Sequence, residues 1–179
     1  MRVIAGEARG VPLSAPRDRA TRPITDRVKE TLFGILGERV PDARVLDLYA
    51  GSGAIGIEAL SRGASAADFV ERGRPALVAL RGNLERTHLG ERARTHATDV
   101  ERFLETDAGP WDLVVADPPY EGHAIVAPLR AAAVRLAPGG VLVLKHFWRT
   151  DPPAIPGLAV TRQRRFGETM LTFMEATNE

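Results

Sequence analysis

The strongest constraint in this chain is a strand that runs straight into a glycine turn and then a helix: Val45–Leu46–Asp47–Leu48, then Tyr49–Ala50–Gly51–Ser52–Gly53, then Ala54–Ile55–Gly56. Glycines permit a tight turn and a close ligand approach, and the helix start offers free N–H groups. Strand-like segments at Arg44–Leu48, Ala66–Val70, Ala93–Ala97, Trp111–Ala116 and Gly140–Phe147 alternate with helical stretches at 54–62, 74–88, 100–106 and 124–136. This alternation predicts a doubly wound, mainly parallel sheet with helices on both faces. Leu158–Arg164 and Glu168–Glu175, separated by Arg165–Phe166–Gly167, predict a closing antiparallel hairpin. The expected fold class is therefore α/β and Rossmann-like, with a seven-stranded sheet.

Ahead of this alternation, Val3–Ile4 and Val11–Leu13 are split by Gly6 and Gly10, which predicts a small hairpin followed by a Pro/Arg loop. Thr25 or Asp26 then caps a helix carrying Val28, Leu32, Ile35 and Leu36 on one face, with Gly37 as its stop. Two parts are expected: an extension over residues 1–37 that packs on the core and whose basic residues suit a polyanion such as RNA, and a main domain over 38–179. Residues 1–30 hold seven bases against four acids, although the whole chain is only +1. Little in residues 1–20 looks able to anchor a parallel sheet, so Arg2, Arg9, Arg17 and Arg19 are expected to meet phosphate.

There is no cysteine, which excludes disulfides, thiolate zinc sites, iron–sulfur clusters and a cysteine nucleophile. His88, His96, His123 and His146 lack metal-ligand spacing and read as surface or helix-end residues, so no metal is expected. No apolar run approaches the roughly 18 residues of a membrane span, and Met1 to Gly10 has no apolar signal core. A cytoplasmic, monomeric protein without a membrane partner is the expectation.

Gly51, Gly53 and Gly56 match the dinucleotide fingerprint G-x-G-x-x-G, and Glu71 follows Gly51 by 20 residues, where an acid binds ribose hydroxyls. Taken alone, this fits an NAD-dependent oxidoreductase as well as anything else, and a turn serving only helix–strand packing stays open. Asp47 shifts the balance, because a carboxylate at the end of the first strand suits a cationic cofactor such as S-adenosyl-L-methionine better than a diphosphate. Asp99, after the third strand, is placed either to accept from an adenine amino group or to cap the next helix.

Trp111–Ala116 enters Asp117–Pro118–Pro119–Tyr120. The two prolines fix the backbone and donate no N–H. Asp117 and the Pro118 carbonyl then supply two acceptors for a planar amino group, with the Tyr120 ring to stack its heterocycle. A strand-terminating proline turn is the structural alternative.

Together, Asp47–Gly53 and Asp117–Tyr120 resemble the class I S-adenosylmethionine-dependent methyltransferases that act on exocyclic amino groups. Ile4–Ala5–Gly6, Arg9–Gly10, Thr21–Glu30 and Glu58–Gly63 narrow the resemblance to the RsmD family of small-subunit ribosomal RNA guanine-N2 methyltransferases. The likeness implies a catalytic set of Asp117, Pro118 and Tyr120. It implies cofactor contacts from Asp47, Tyr49, Gly51, Gly53, Glu71 and Asp99, with Thr21, Arg22, Pro23 and Thr25 packed near the same pocket. It implies ribosomal RNA, or an assembling small-subunit particle, as partner. In one departure, Lys145–His146–Phe147 stands where many relatives carry an acid after the fifth strand. Adenine-N6 and protein-glutamine methyltransferases share the tetrapeptide, and a cofactor-sensing RNA-binding module without catalysis is a further alternative. The absence of a separate target-recognition domain argues against a DNA enzyme, and the basic arm against a protein substrate.

Overall fold

The computed structural model describes residues 1–16, 23–106, 108–119 and 125–177. Seven strands form a single sheet: β1 Arg44–Leu48, β2 Ala66–Val70, β3 Ala93–His96, β4 Trp111–Ala116, β5 Leu136–Phe147, β6 Leu158–Phe166 and β7 Thr169–Ala176. Their order is β3-β2-β1-β4-β5-β7-β6. The first five run parallel, and β7 pairs antiparallel with both β5 and β6. The chain thus reverses direction across the sheet between β1 and β4, where such sheets open a ligand crevice beyond their carboxyl ends.

Five helices flank the sheet: α1 Asp26–Leu36, α2 Ala54–Ser61, α3 Arg74–Thr87, α4 Val100–Leu104 and α5 Val126–Ala133. Thr25 caps α1 by accepting from the Val28 N–H at 3.3 Å, and Gly37 ends it at φ 50°. One core joins α1, α2 and α3 to Val45, Val115 and Val143 on one face of the sheet. A second gathers Leu46, Val114, Leu142 and Trp111 against α4 and α5 on the other. Period-two alternation along the strands produces this division, except at Trp111, which the irregularity before Leu113 turns to the second face. Among the described residues no helix is long and apolar enough to cross a membrane.

The fifth strand begins earlier than its composition suggests. Leu136 pairs with Trp111 and Val141 with Leu113, so five steps on β5 face two on β4 and the Pro138–Gly140 segment bulges out. The predicted helix over 124–136 accordingly stops at Ala133.

The first residues are held by the helices rather than by the sheet. Every residue of α2 is buried, which requires cover on the side away from the sheet. Residues 1–13 supply it. Val3, Ala8 and Leu13 join the core. Gly6, at φ 86°, lies so close to the end of α2 that a Cβ would fall 1.7 Å from the Ser61 carbonyl oxygen. Glu7 N–H donates to that same carbonyl, and Ala8 N–H to Ser61 Oγ. The arm folds back on itself: Val3 N–H donates to the Val11 carbonyl at 3.0 Å, Gly10 N–H to the Val3 carbonyl at 2.9 Å and Leu13 N–H to the Met1 carbonyl at 2.9 Å, with Arg2 bridged to Pro12. Arg2 pairs with Asp26 at 3.2 Å, Arg9 is exposed, and Arg17 and Arg19 lie outside the described residues.

Under the arm sits Glu58, fully buried on α2. Its carboxylate accepts from Ile4 N–H at 2.9 Å, Ala5 N–H at 3.0 Å, Arg62 Nε at 2.8 Å and Lys29 Nζ at 3.3 Å. Lys29, itself fully buried on α1, also donates to the Arg2 carbonyl. One carboxylate therefore ties the arm, α1 and α2 together.

Candidate active site

The carboxyl ends of β1, β2 and β4 bring together Asp47, Glu71 and Asp117, which lie far apart in sequence. Asp47 is 1% exposed, and its Oδ2 accepts the Gly56 N–H at 2.9 Å. Burial holds the Asp47 carboxyl well above the usual carboxylate range, and the negative charges of Asp117 and Glu71 push it the same way, while the Gly56 N–H opposes them. A buried carboxyl among other acids calls for a cationic ligand.

This arrangement favours the cationic reading of the glycine turn: Gly56 lies in the first turn of α2, and Asp47 takes one of the N–H groups that a diphosphate would use there and sets a carboxyl beside the others. The glycines divide the work. A Cβ at Gly53 would meet Leu80 at 2.2 Å and one at Gly56 would meet Phe69 at 2.3 Å, so both serve packing. Gly51, at φ 57°, has nothing within 4 Å of such a Cβ and leaves open space for a ligand.

Glu71 Oε2 accepts the Gly51 N–H at 2.9 Å and Oε1 the Gly73 N–H at 2.6 Å. The carboxylate braces the glycine turn, and each oxygen keeps a lone pair for a ribose hydroxyl. Glu71→Ala is expected to weaken S-adenosylmethionine affinity by about 1.5–3 kcal/mol, the usual value for hydrogen bonds to a charged acceptor. Calorimetric titration checks this, and unchanged affinity would remove Glu71 from the site.

Tyr49 adopts φ 58°, a conformation that bulky residues rarely hold outside functional turns. Burial, reinforced by the charge of Glu101 and opposed by Arg72, pushes its phenol up to about 12. Asp99 stands at the N-cap position of α4 without a side-chain capping bond, and its carboxylate instead pairs with Arg72 at 3.0 Å. Pro23 and Thr25 are exposed at the start of α1, Thr25 spends its hydroxyl on the cap, and no hydrogen bond joins either to the cleft acids among the described residues. Thr21, Arg22 and Tyr120 lie outside the described residues.

On β4 the alternation places Asp117 on the same face as Leu113 and Val115, directly past the end of the strand. Its N–H donates to the Leu48 carbonyl at 3.3 Å, which locks the turn to β1, and Pro118 is buried beside it. Both Asp117 oxygens accept from Lys145 Nζ, at 2.8 and 2.9 Å. Burial raises the Asp117 carboxyl above its ordinary range, and the Lys145 charge and hydrogen bonds pull it back down.

The histidines divide. His88 ends α3, as expected. His146, read as a surface residue, is buried in β5, where Nε2 meets Thr172 Oγ1 at 2.7 Å and burial lowers its pKa. His96 pairs with Asp68 at 2.8 Å, and His123 lies outside the described residues. Trp148 is half-buried beyond β5, with the Arg165 guanidinium 3.5 Å and that of Arg149 4.8 Å from its ring centroid.

This strand order, with a carboxylate-capped glycine turn after β1, is that of a class I methyltransferase. The family described as "Conserved hypothetical protein 95" matches residues 1–175. "Putative rRNA methyltransferase YlbH" of Bacillus subtilis (strain 168) is 37% identical over 175 residues, covering 94% of this chain and 95% of that protein. "Ribosomal RNA small subunit methyltransferase D" of Escherichia coli (strain K12) is 42% identical over 120 residues, 67% of this chain but only 60% of that protein. The solved structure described as "Putative methyltransferase yhhF from Escherichia coli" superposes with a TM-score of 0.88 at 31% identity, over 98% of this chain and 97% of that one. The chain belongs to the RsmD family.

Proposed function

We propose that this protein transfers a methyl group from S-adenosylmethionine to the exocyclic N2 amine of a guanine in small-subunit ribosomal RNA. We place it in the cytoplasm, as a monomer acting on that RNA or on an assembling particle. The observation that carries this reading is the position of Asp117, fixed at the end of β4 on the cleft that Asp47 and Glu71 also line.

S-adenosylmethionine supplies the electrophilic sulfonium methyl when bound. Asp47 and Glu71 fit its cation and its ribose, and the open space over Gly51 fits its approach. Asp117 and the Pro118 carbonyl accept the two N–H bonds of the amino group and so aim its nitrogen. Tyr120 stacks on the base, which must leave its own stack to arrive there. Positioning of this kind is worth up to about 7–11 kcal/mol in ideal cases. Asp117 need not be a strong base, because the amine becomes acidic once its nitrogen gains positive charge.

The test is incubation of the protein with labelled S-adenosylmethionine and either small-subunit particles or extracted ribosomal RNA, followed by nucleoside mass analysis. Label in N2-methylguanosine supports the reading. Label in N6-methyladenosine, or none in RNA, overturns it.

The exposed guanidinium groups of Arg165, which lies over the Trp148 ring, and of Arg164, its neighbour on β6, are suited to phosphate. Replacing both with alanine is expected to weaken RNA binding and flatten its salt dependence, by roughly 0.7–0.9 in log–log slope for each phosphate no longer neutralised. Binding isotherms at several salt concentrations check this, and S-adenosylmethionine affinity should not change.

A further inference from the structure

We infer that Lys145 is a positioning residue of the methyl-transfer site: it fixes the orientation and the acceptor form of Asp117 while leaving that carboxylate open to an incoming amino group. The inference rests on the reaction proposed above.

The geometry begins with register. Val115 on β4 lies opposite Val143 on β5, so the next residue on the same face of β4, Asp117, falls opposite the next on β5, Lys145. The two side chains meet as neighbours across parallel strands, above the valines of one core. The Lys145 side chain is 8% exposed and that of Asp117 29%. The ammonium lies nearly equidistant from both carboxylate oxygens, at 2.8 and 2.9 Å, which holds the carboxylate plane in one rotation.

Such a clamp does not block the site. A carboxylate has about four acceptor positions, and an ammonium on both oxygens uses two. The remaining lone pairs can face an amino group, with the Pro118 carbonyl as the second acceptor. Among the described residues, the charged groups facing Asp117 are Lys145 from β5 and Asp47 from β1, and Asp47 in turn feels Glu71. Lys145 is thus the cation that offsets a cluster of acids next to the reacting nitrogen. Without it, burial would favour the protonated carboxyl, which would present a donor to an amine that also needs to donate. Lysine suits this place better than arginine in one respect, being a compact point charge on a flexible stem that can ride with the carboxylate.

The test uses K145M, which keeps the stem and removes the charge, and K145R, which keeps a cation. The first readout is the pH titration of the Asp117 carboxyl carbon by NMR in the protein without RNA. The second is the pH profile of methyl transfer to ribosomal RNA. In K145M the titration and the acidic limb of the profile are both expected to move to higher pH. Transfer at pH 6.5 should fall roughly tenfold or more and recover towards the wild-type rate at alkaline pH. K145R should stay near wild type in both. S-adenosylmethionine affinity and thermal unfolding, measured alongside, separate a local effect from misfolding, and if K145M fails to fold, K145Q takes its place. Superimposed Asp117 titrations in wild type and the neutral variant overturn the inference, whatever the RNA assay shows. A moved titration with no transfer to RNA by the wild type overturns instead the proposed reaction, and with it the role of Lys145 there.

Discussion

Glu58→Ala is expected to cost about 3–5 kcal/mol of folding stability, the usual penalty for removing one partner of a buried ion pair. The whole domain is worth only about 5–15 kcal/mol, so this is a large share. The loss has two sources. Lys29, with no exposed side-chain surface, keeps its charge and loses its carboxylate. The Ile4 and Ala5 N–H groups lose their acceptor and are left in a poorly solvated place. Urea unfolding checks the size of the effect. Lys29→Met combined with Glu58→Gln should recover much of the loss, because no buried charge then remains. Recovery should stop short of full, since glutamine offers one acceptor oxygen where glutamate offers two. If the double variant is as unstable as Glu58→Ala, the backbone contacts to the arm outweigh the ion pair. A loss below about 1 kcal/mol would mean that the arm contributes little to stability.

Glu58 also shows where sequence reading stops. The starts of the first four strands, the glycine turn and the Asp-Pro-Pro turn were legible because each is local. Period-two runs bounded by glycine or proline mark strands, and strand ends in a doubly wound sheet must share one rim. The convergence of Asp47, Glu71 and Asp117 follows from that rule. The anchoring of the arm leaves almost no such trace. Val3, Ala8 and Leu13 are sparse, and the rest of the attachment joins backbone N–H groups of the arm to Glu58 and Ser61 more than fifty residues away, a pairing that no local pattern marks. The signal that was available is α2 itself: eight residues buried on all sides need cover from somewhere.

The meeting of Lys145 and Asp117 was hidden for a different reason. Alternation says which face of its own strand a residue occupies, but not which residue it faces across the ladder. The bulge between the Trp111/Leu136 and Leu113/Val141 pairs shows why: one irregularity of that kind resets the alignment downstream. The same limit explains His146. Its strand was foreseen, yet its hydrogen bond to Thr172 depends on how β7 lies against β5. Asp99 differs again. Its position before α4 was legible, but its pairing with Arg72 comes from the loop after β2.

Asp117→Asn is expected to reduce methyl transfer by about three orders of magnitude or more, a loss of roughly 4 kcal/mol in transition-state stabilisation. Asparagine matches the shape of aspartate, so the backbone hydrogen bond to Leu48 and the buried Pro118 turn should survive. What changes is the acceptor. One carboxylate oxygen becomes an amide that donates, and it meets both the Lys145 ammonium and the N–H bonds of the substrate amine. The rate should therefore fall in kcat rather than only in KM, because the missing hydrogen bonds aim the nitrogen and do not hold the rest of the RNA. S-adenosylmethionine affinity should change little, since Asp47 and Glu71 remain in place. Single-turnover transfer with labelled cofactor, alongside calorimetric cofactor binding, separates these effects. Near-normal transfer by Asp117→Asn would show that the Pro118 carbonyl and the stacked ring suffice to place the amine. Abolished cofactor binding would instead move Asp117 from the acceptor side of the cleft to the donor side.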